Sequence, residues 1–281
     1  MVGLGRFAGH LLRLPGREHV PVWPPLLRPA VSPASWVTPE LRAQLRTDSW
    51  FGSLSSGLEN DLLALATPRR LKAGEHLFFR GDAADGIYAV LEGSLRISGV
   101  TEAGKEAILS MVEPPMWLGE IALFDHLPRT HNAVADAVTR LLFVPMAPLN
   151  ELLSRCPVYW RDFGVLMSLK VRFAFIGMED LALLPADLRL TRRLVMLAHA
   201  AGKEGNCVLP ISQAQLGMML GLSRQTTNQI LQSLQDQGVV QVAYGRIEVL
   251  DLGQLVAVAG LSSADKALLG QIGPSGRTTP G

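Results

Sequence analysis

Between Leu118 and Thr130 the chain reads LGEIALFDHLPRT. Glu120 follows a glycine, and Arg129 stands nine residues later. Asp125 and His126 are the polar interruptions in an otherwise mostly apolar loop. Two chemistries fit this arrangement. The carboxylate and guanidinium can pair with each other and pin a turn. Alternatively they line a pocket, where the guanidinium meets an anion and the carboxylate accepts from hydroxyl groups. Exposed N–H groups at the short turn after Gly119 would favour an anion further.

A second constellation lies in ISQAQLGMMLGLSRQTTNQILQSLQDQG. Two short helices are joined by Gly221-Leu222-Ser223: the glycine gives the sharp turn, Leu222 packs between the helices and Ser223 caps the second. Ile230, Leu231 and Leu234 turn inward. The outer face is read as Arg224, Gln225, Thr227, Asn228 and Gln229, polar groups that suit base edges in a major groove, with Arg forking onto guanine and Gln onto adenine. Ser212 and Gln213 at the start of the first helix, and Arg246 on the following hairpin, are placed to meet phosphates.

Other elements must hold these groups in place. The sequence before Ser49 is basic and rich in proline, and residues 1–48 are expected to form a poorly ordered extension. PELRAQLRTDSWFGSLSSGLENDLLALA nevertheless has leucines at helical spacing, with Ser55 or Ser56 as a helix start. From Arg70 to Pro145, short β-rich runs alternate with Gly74, Gly81, Gly86, Gly93 and Gly104 as turn residues, the texture of a small antiparallel barrel or sandwich. From Pro157 to Leu184 a long helix is expected. Tyr159, Phe163, Leu166, Phe173 and Leu184 fall near a heptad seam, but Leu169, Val171, Phe175, Ile176 and Met178 make other faces apolar too. Such a helix must be buried on more than one side: its own barrel provides one, and a second copy of the chain is the economical choice for the other. Pro185 ends or kinks it. A helix closed by Gly202, the two-helix unit and a hairpin turning at Tyr244-Gly245 follow, and the tail from Val258 is expected to fray. The fold class is therefore α+β: a β domain over residues 49–156, a dimerisation helix over 157–184, a winged helix-turn-helix over 185–257 and a flexible tail over 258–281.

Totals exclude several classes. The 281 residues include 48 % hydrophobic and 18 % charged, so a sizeable core can form, and the net charge of +1 sets up no global field towards nucleic acid. The DNA-reading domain is only mildly basic, which implies modest non-specific affinity and reliance on dimeric binding. The two cysteines, Cys156 and Cys207, match no metal motif and fall short of the four ligands of an iron–sulfur cluster, so neither a metal nor a cluster is expected. No apolar run approaches a membrane span. A cytoplasmic protein is expected, and no nucleophile–base pair or phosphate loop points to an enzyme.

The motifs KAGEHLFFRGDAADGIYAVLEGSLRIS, GKEAILS and LGEIALFDHLPRT, a long helix, and ISQAQLGMMLGLSRQTTNQILQSLQDQGVV together resemble the Crp/Fnr family of bacterial transcription regulators, over roughly Ser49 to Leu250. The resemblance implies that the β domain is a β-roll (a double-stranded β-helix of jelly-roll type) that binds a cyclic nucleotide. Gly119, Glu120 and Ile121 would then face the ribose, and Arg129 and Thr130 the cyclic phosphate. In cyclic-AMP-binding members the long helix offers a Thr-Ser pair to adenine; this chain has Ala174 and Phe175 there, so an aromatic could stack on a base or fill the pocket instead. The family often has Glu at the position of Gln225, which puts the family's best-known half-site in doubt. The implied protein is a homodimer on a palindromic site in double-stranded DNA, acting with RNA polymerase, with cyclic AMP, cyclic GMP or cyclic di-GMP as effector. A platform β-roll without an effector, or an adaptor acting on a protein partner, are the rivals.

Overall fold

The computed structural model describes residues 36–104, 106–200 and 205–270. The Pro-rich lead up to residue 35 and the expected helix stop Gly202 lie outside them. Two helices come first, α1 (Pro39–Arg46) and α2 (Ser56–Leu65). The Thr38 hydroxyl caps α1 by accepting from the Leu41 N–H, and Ser55 does the same for α2 from Leu58. Helix α1 is part of the folded domain, which corrects the expected boundary at residue 48. Its Leu45 is fully buried, and Arg42 and Arg46 both reach Glu59 on α2, at 2.6 and 2.7 Å. Glu59 is only 2 % exposed, so its charge is tolerable only because both guanidinia meet it.

Eight strands follow: β1 (Thr67–Leu71), β2 (His76–Phe78), β3 (Gly86–Glu92), β4 (Leu95–Val100), β5 (Glu106–Val112), β6 (Trp117–Leu118), then past a short helix α3 (Ile121–Asp125), β7 (Asn132–Ala135) and β8 (Thr139–Pro145). They form two four-stranded antiparallel sheets, ordered β1-β8-β3-β6 and β2-β7-β4-β5. Alternation along β3 explains the layering. Tyr88 and Val90 point between the sheets, with Leu95, Leu118 and Leu141, while Ile87, Ala89 and Leu91 point outward into a core with the helices. Gly86 is not a turn residue. It starts β3 where the neighbouring strand is so close that a Cβ would lie 2.2 Å from the Val144 carbonyl oxygen.

Helix α4 (Met146–Arg155) leads through a 3-10 turn at Pro157–Tyr159 into the long helix α5 (Trp160–Leu183). The first half of α5 is anchored in its own domain by Phe163 and Leu166. Trp50 packs on Phe163 at 5.4 Å and donates its indole N–H to the Asp162 carbonyl, while Phe51 stacks on Trp117. Leu184 is extended, as the residue before Pro185 must be, and this breaks the helix.

The second lobe contains α6 (Ala186–Ala200), β9 (Cys207–Leu209), α7 (Gln213–Leu220), α8 (Arg224–Asp236), β10 (Val240–Ala243), β11 (Arg246–Val249), α9 (Leu252–Val258) and α10 (Ser263–Gly270). The three strands pair in the order β10-β11-β9. The expectation of a frayed tail from Val258 is corrected through residue 270. Asp251 caps α9, Ser262 and Asp265 exchange hydrogen bonds at the start of α10, and Leu255, Ala259 and Leu269 are buried in the lobe's core. That core includes Ile108 and Met111 of β5, so the lobe is seated on the β-roll. Gln215 of α7 hydrogen-bonds Asp136, and Arg193 of α6 donates to the Leu109 carbonyl. At the joint, Arg192 of α6 bonds Asp180 near the end of α5 at 2.7 Å and the carbonyls of Ala259 and Gly260.

Candidate effector pocket and DNA-reading surface

A cavity of about 440 Å³ lies between the β-roll, α5 and α6. The predicted motif forms its polar end. Gly119 has φ +98°, a left-handed conformation, and a Cβ there would fall 2.9 Å from both the Arg129 Nη1 and the Gly86 carbonyl oxygen. Glycine is therefore required at this close approach. The turn delivers Glu120, 2 % exposed, to the start of α3. Arg129 is fixed by its backbone, which donates to the Asp82 carbonyl and accepts from Gly81. Its guanidinium lies 4.4 Å from the Phe78 ring centroid.

Glu120 and Arg129 do not pair with each other in the hydrogen bonds and ion pairs observed. Glu120 accepts from Lys170 of α5 at 2.6 Å, and the same ammonium donates to the Trp117 carbonyl at 2.7 Å. Arg129 Nη2 donates to Asp85 at 2.9 Å and to the Gly86 carbonyl at 2.7 Å, and Nη1 donates to the Gly119 carbonyl at 3.3 Å. Its Nε is buried without an acceptor. Burial alone pushes the Asp85 carboxyl up, but the Tyr88 hydroxyl and the Arg129 guanidinium outweigh it and hold the group below its ordinary range. Sequence reasoning missed Asp85 and Lys170, which stand far from the motif in the chain.

Ile121, Thr130 and Ala174 also line the cavity. Thr130 is exposed, and its hydroxyl is engaged with the His131 ring at 2.9 Å. Desolvation first, and Arg80 second, lower the pKa of His131. Phe175 does not line the cavity, which corrects its expected place there. It is 65 % exposed on the outward face of α5, because one residue of helix turns a side chain by about 100° from Ala174, which borders the cavity. Among the described residues, no group of three His, Cys, Asp or Glu side chains stands close enough to hold a metal ion.

In the second lobe, Ser212 and Gln215 form a reciprocal capping box on α7, and Gly221 (φ +64°) closes it. Ser223 caps α8 through the Thr226 N–H. Arg224, Gln225, Asn228 and Gln229 are exposed along α8, as read from the sequence, and Gln232 and Ser233 extend that face. Thr227 does not belong to it. Its side chain is fully buried against Gly217 and donates to the Ser223 carbonyl at 2.9 Å. Gln213 is half-buried at the start of α7. The hairpin tip carries the fully exposed Tyr244, and the exposed Arg246 pairs with Glu248 at 2.8 Å.

Glu120 and Arg129 fall within a family model for a cyclic nucleotide-binding domain over residues 68–156, and α7, α8 and the hairpin within one for a Crp-like helix-turn-helix domain over 188–258. The transcriptional regulator SdrP of Thermus thermophilus is 31 % identical over 193 residues, covering 67 % of this chain and 92 % of the relative. The chain belongs to the Crp/Fnr family of transcription regulators. The cyclic AMP receptor protein of the same organism is 28 % identical over 203 residues, covering 72 % of this chain and 92 % of the relative. A solved Crp/Fnr-family regulator, also from Thermus thermophilus, superposes with a TM-score of 0.56 at 30 % identity, covering 69 % of this chain and 99 % of that one. As a Crp/Fnr regulator the protein binds DNA and is not an enzyme. Among the described residues no helix is long and apolar enough to cross a membrane.

Proposed function

We propose that the protein is a cytoplasmic homodimer that reads a palindromic DNA site through α8 and recruits RNA polymerase under the control of a small anionic effector in the β-roll cavity. The observation that carries the effector reading is Arg129, a buried guanidinium at the cavity's polar end whose Nε has no acceptor. A cyclic nucleotide or cyclic dinucleotide would place a phosphate there. Its sugar hydroxyl would share Glu120 with Lys170. Ser212, Gln213 and Arg246 would meet DNA phosphates, and Arg224, Gln225, Asn228 and Gln229 would meet base edges.

The dimer reading is supported by the outward face of α5. Gly164, Ser168, Val171, Phe175 and Met178 recur at alternating steps of four and three residues, the period of a coiled-coil seam. Val171, Phe175 and Met178 are exposed in the protomer, whereas Tyr159, Phe163 and Leu166, read from the sequence near a seam, are buried in its own core. An effector that binds one arrangement of the lobes more tightly would shift the protein towards it and change DNA affinity by the same linkage.

One observation favours the second reading, a β-roll that needs no effector: Asp85 already neutralises Arg129, and Lys170 already neutralises Glu120. Calorimetric titration with cyclic AMP, cyclic GMP and cyclic di-GMP, on the wild type and on Arg129→Met, separates the two. Micromolar or tighter binding that Arg129→Met removes establishes the anionic effector. No heat with any of the three, and DNA affinity unchanged in Arg129→Met, establishes the platform.

A further inference from the structure

The cavity extends past the β-roll. Its far wall is α6, which contributes Arg193, Met196, Leu197 and His199. Arg193 differs from the other cations in this space. Arg129 has Asp85 and Lys170 has Glu120, but Arg193 has no carboxylate partner among the described residues. Its single hydrogen bond runs from Nη2 to the Leu109 carbonyl at 3.1 Å, and its Nε is closed off from solvent with no acceptor. Burial pulls its pKa down to about 10. One turn earlier on the same helix face, the Nε of Arg189 is also buried without an acceptor. A half-buried guanidinium with no counter-ion and an Nε closed off without an acceptor is an unfavourable element that an incoming anion would relieve.

The rest of this wall is apolar and adaptable. Met111 and Met116 of the β-roll face Met196 of α6 across a space also bordered by Phe173. Methionine side chains are flexible and polarisable, and they conform to apolar ligands of varied shape. The volume is in the range of pockets that enclose a small organic molecule.

We propose that the α6 end of this cavity binds an amphiphilic monoanion, a carboxylate on a straight apolar chain, with the head on Arg193 and the chain among the three methionines. The inference rests on the cavity being the effector site and not on the effector being a nucleotide. Arg193 belongs to the DNA-binding lobe and Met111 and Met116 to the β-roll, so one ligand touches both lobes and sets their relative pose directly.

The test uses full-length protein and the fluorescent amphiphile anilinonaphthalene sulfonate as reporter, displaced by dodecanoate or by uncharged dodecanol. Dodecanoate is expected to compete at least tenfold better than dodecanol. Arg193→Met should weaken dodecanoate about 10- to 100-fold, the range of a charge-assisted hydrogen bond to a buried group. It should leave dodecanol within about twofold of wild type, and Arg129→Met should leave dodecanoate within about the same margin. Equal competition by dodecanoate and dodecanol on the wild type overturns the proposal, whatever the variant does. So does undiminished dodecanoate binding by Arg193→Met. If cyclic nucleotides bind through Arg129 and dodecanoate displaces nothing, this inference fails while the nucleotide reading stands. If neither class binds, both fail.

Discussion

Phe175→Ala tests whether two copies of α5 meet along the outward face. In the protomer Phe175 is 65 % exposed and Met178 63 % exposed. An aromatic side chain presents 150–250 Å², so roughly 130 Å² of Phe175 is available for burial against a partner, and truncation to alanine removes about 100 Å² of it. Two-fold symmetry doubles the loss to about 200 Å², which at about 25 cal/mol per Å² is about 5 kcal/mol per dimer for complete burial and about 3 kcal/mol for partial burial. The dimer dissociation constant should rise by roughly two to three and a half orders of magnitude. Sedimentation velocity over nanomolar to micromolar concentrations reads this directly. Affinity for a full palindrome should fall in step, while binding to a single half-site stays constant. Urea unfolding at concentrations where both proteins are monomeric should be nearly unchanged, because the side chain is mostly exposed within its own protomer. A dimer constant that moves less than about fivefold would refute this placement of the seam.

Glu59→Gln strands two guanidinia on a buried neutral group and should cost about 2–4 kcal/mol in urea unfolding, with α1 the first element to lose protection from hydrogen exchange. Burial raises the Asp48 carboxyl to about 6, so the folded state keeps its proton when the unfolded chain has lost it; the resulting stability is full below about pH 4 and is lost as pH rises through 6. Asp48→Asn should therefore stabilise the protein by up to about 3 kcal/mol at pH 7.5 and by nothing at pH 4, as read by thermal unfolding across pH. Asp85→Asn frees Arg129 from its carboxylate and should tighten any anion bound there about 5- to 30-fold by calorimetry. Arg224→Ala should cost about 1–3 kcal/mol in DNA binding and relax specificity at one base pair of each half-site, measured by selection from randomised duplexes.

The features legible in the sequence are those determined by neighbours in the chain. Ser55, Ser212 and Ser223 are caps, and Gly221 and Gly245 have positive φ, because each decides its local backbone. The Glu120–Arg129 loop was visible because both ends of that part of the pocket lie within one turn and its short helix. The partners that set its charge state were not, since Asp85, Lys170 and Arg193 arrive from other elements. Thr227 was a readable error: it lies four and seven residues before Leu231 and Leu234, on the apolar stripe of α8, and the residue type distracted from the helix phase. Helix α4 offered no signal at its start because Pro145 occupies the cap position and has no side-chain acceptor. The ordered tail was hidden because small residues such as Ala259 give little apolar periodicity, although one buried Leu269 is enough to dock α10.

Arg192 joins the end of α5, the start of the DNA-binding lobe and the loop between α9 and α10 through a single guanidinium. Its hydrogen bonds span both sides of the Leu184-Pro185 break. Of these bonds, the one to Asp180 crosses the break, while those to Ala259 and Gly260 stay within the lobe and hold the planar guanidinium in position. A rotation about the break therefore acts on the Arg192–Asp180 bond, whose donor its own lobe keeps in place. If an effector turns the lobes as proposed, the Arg192–Asp180 bond is the latch that the turn has to open.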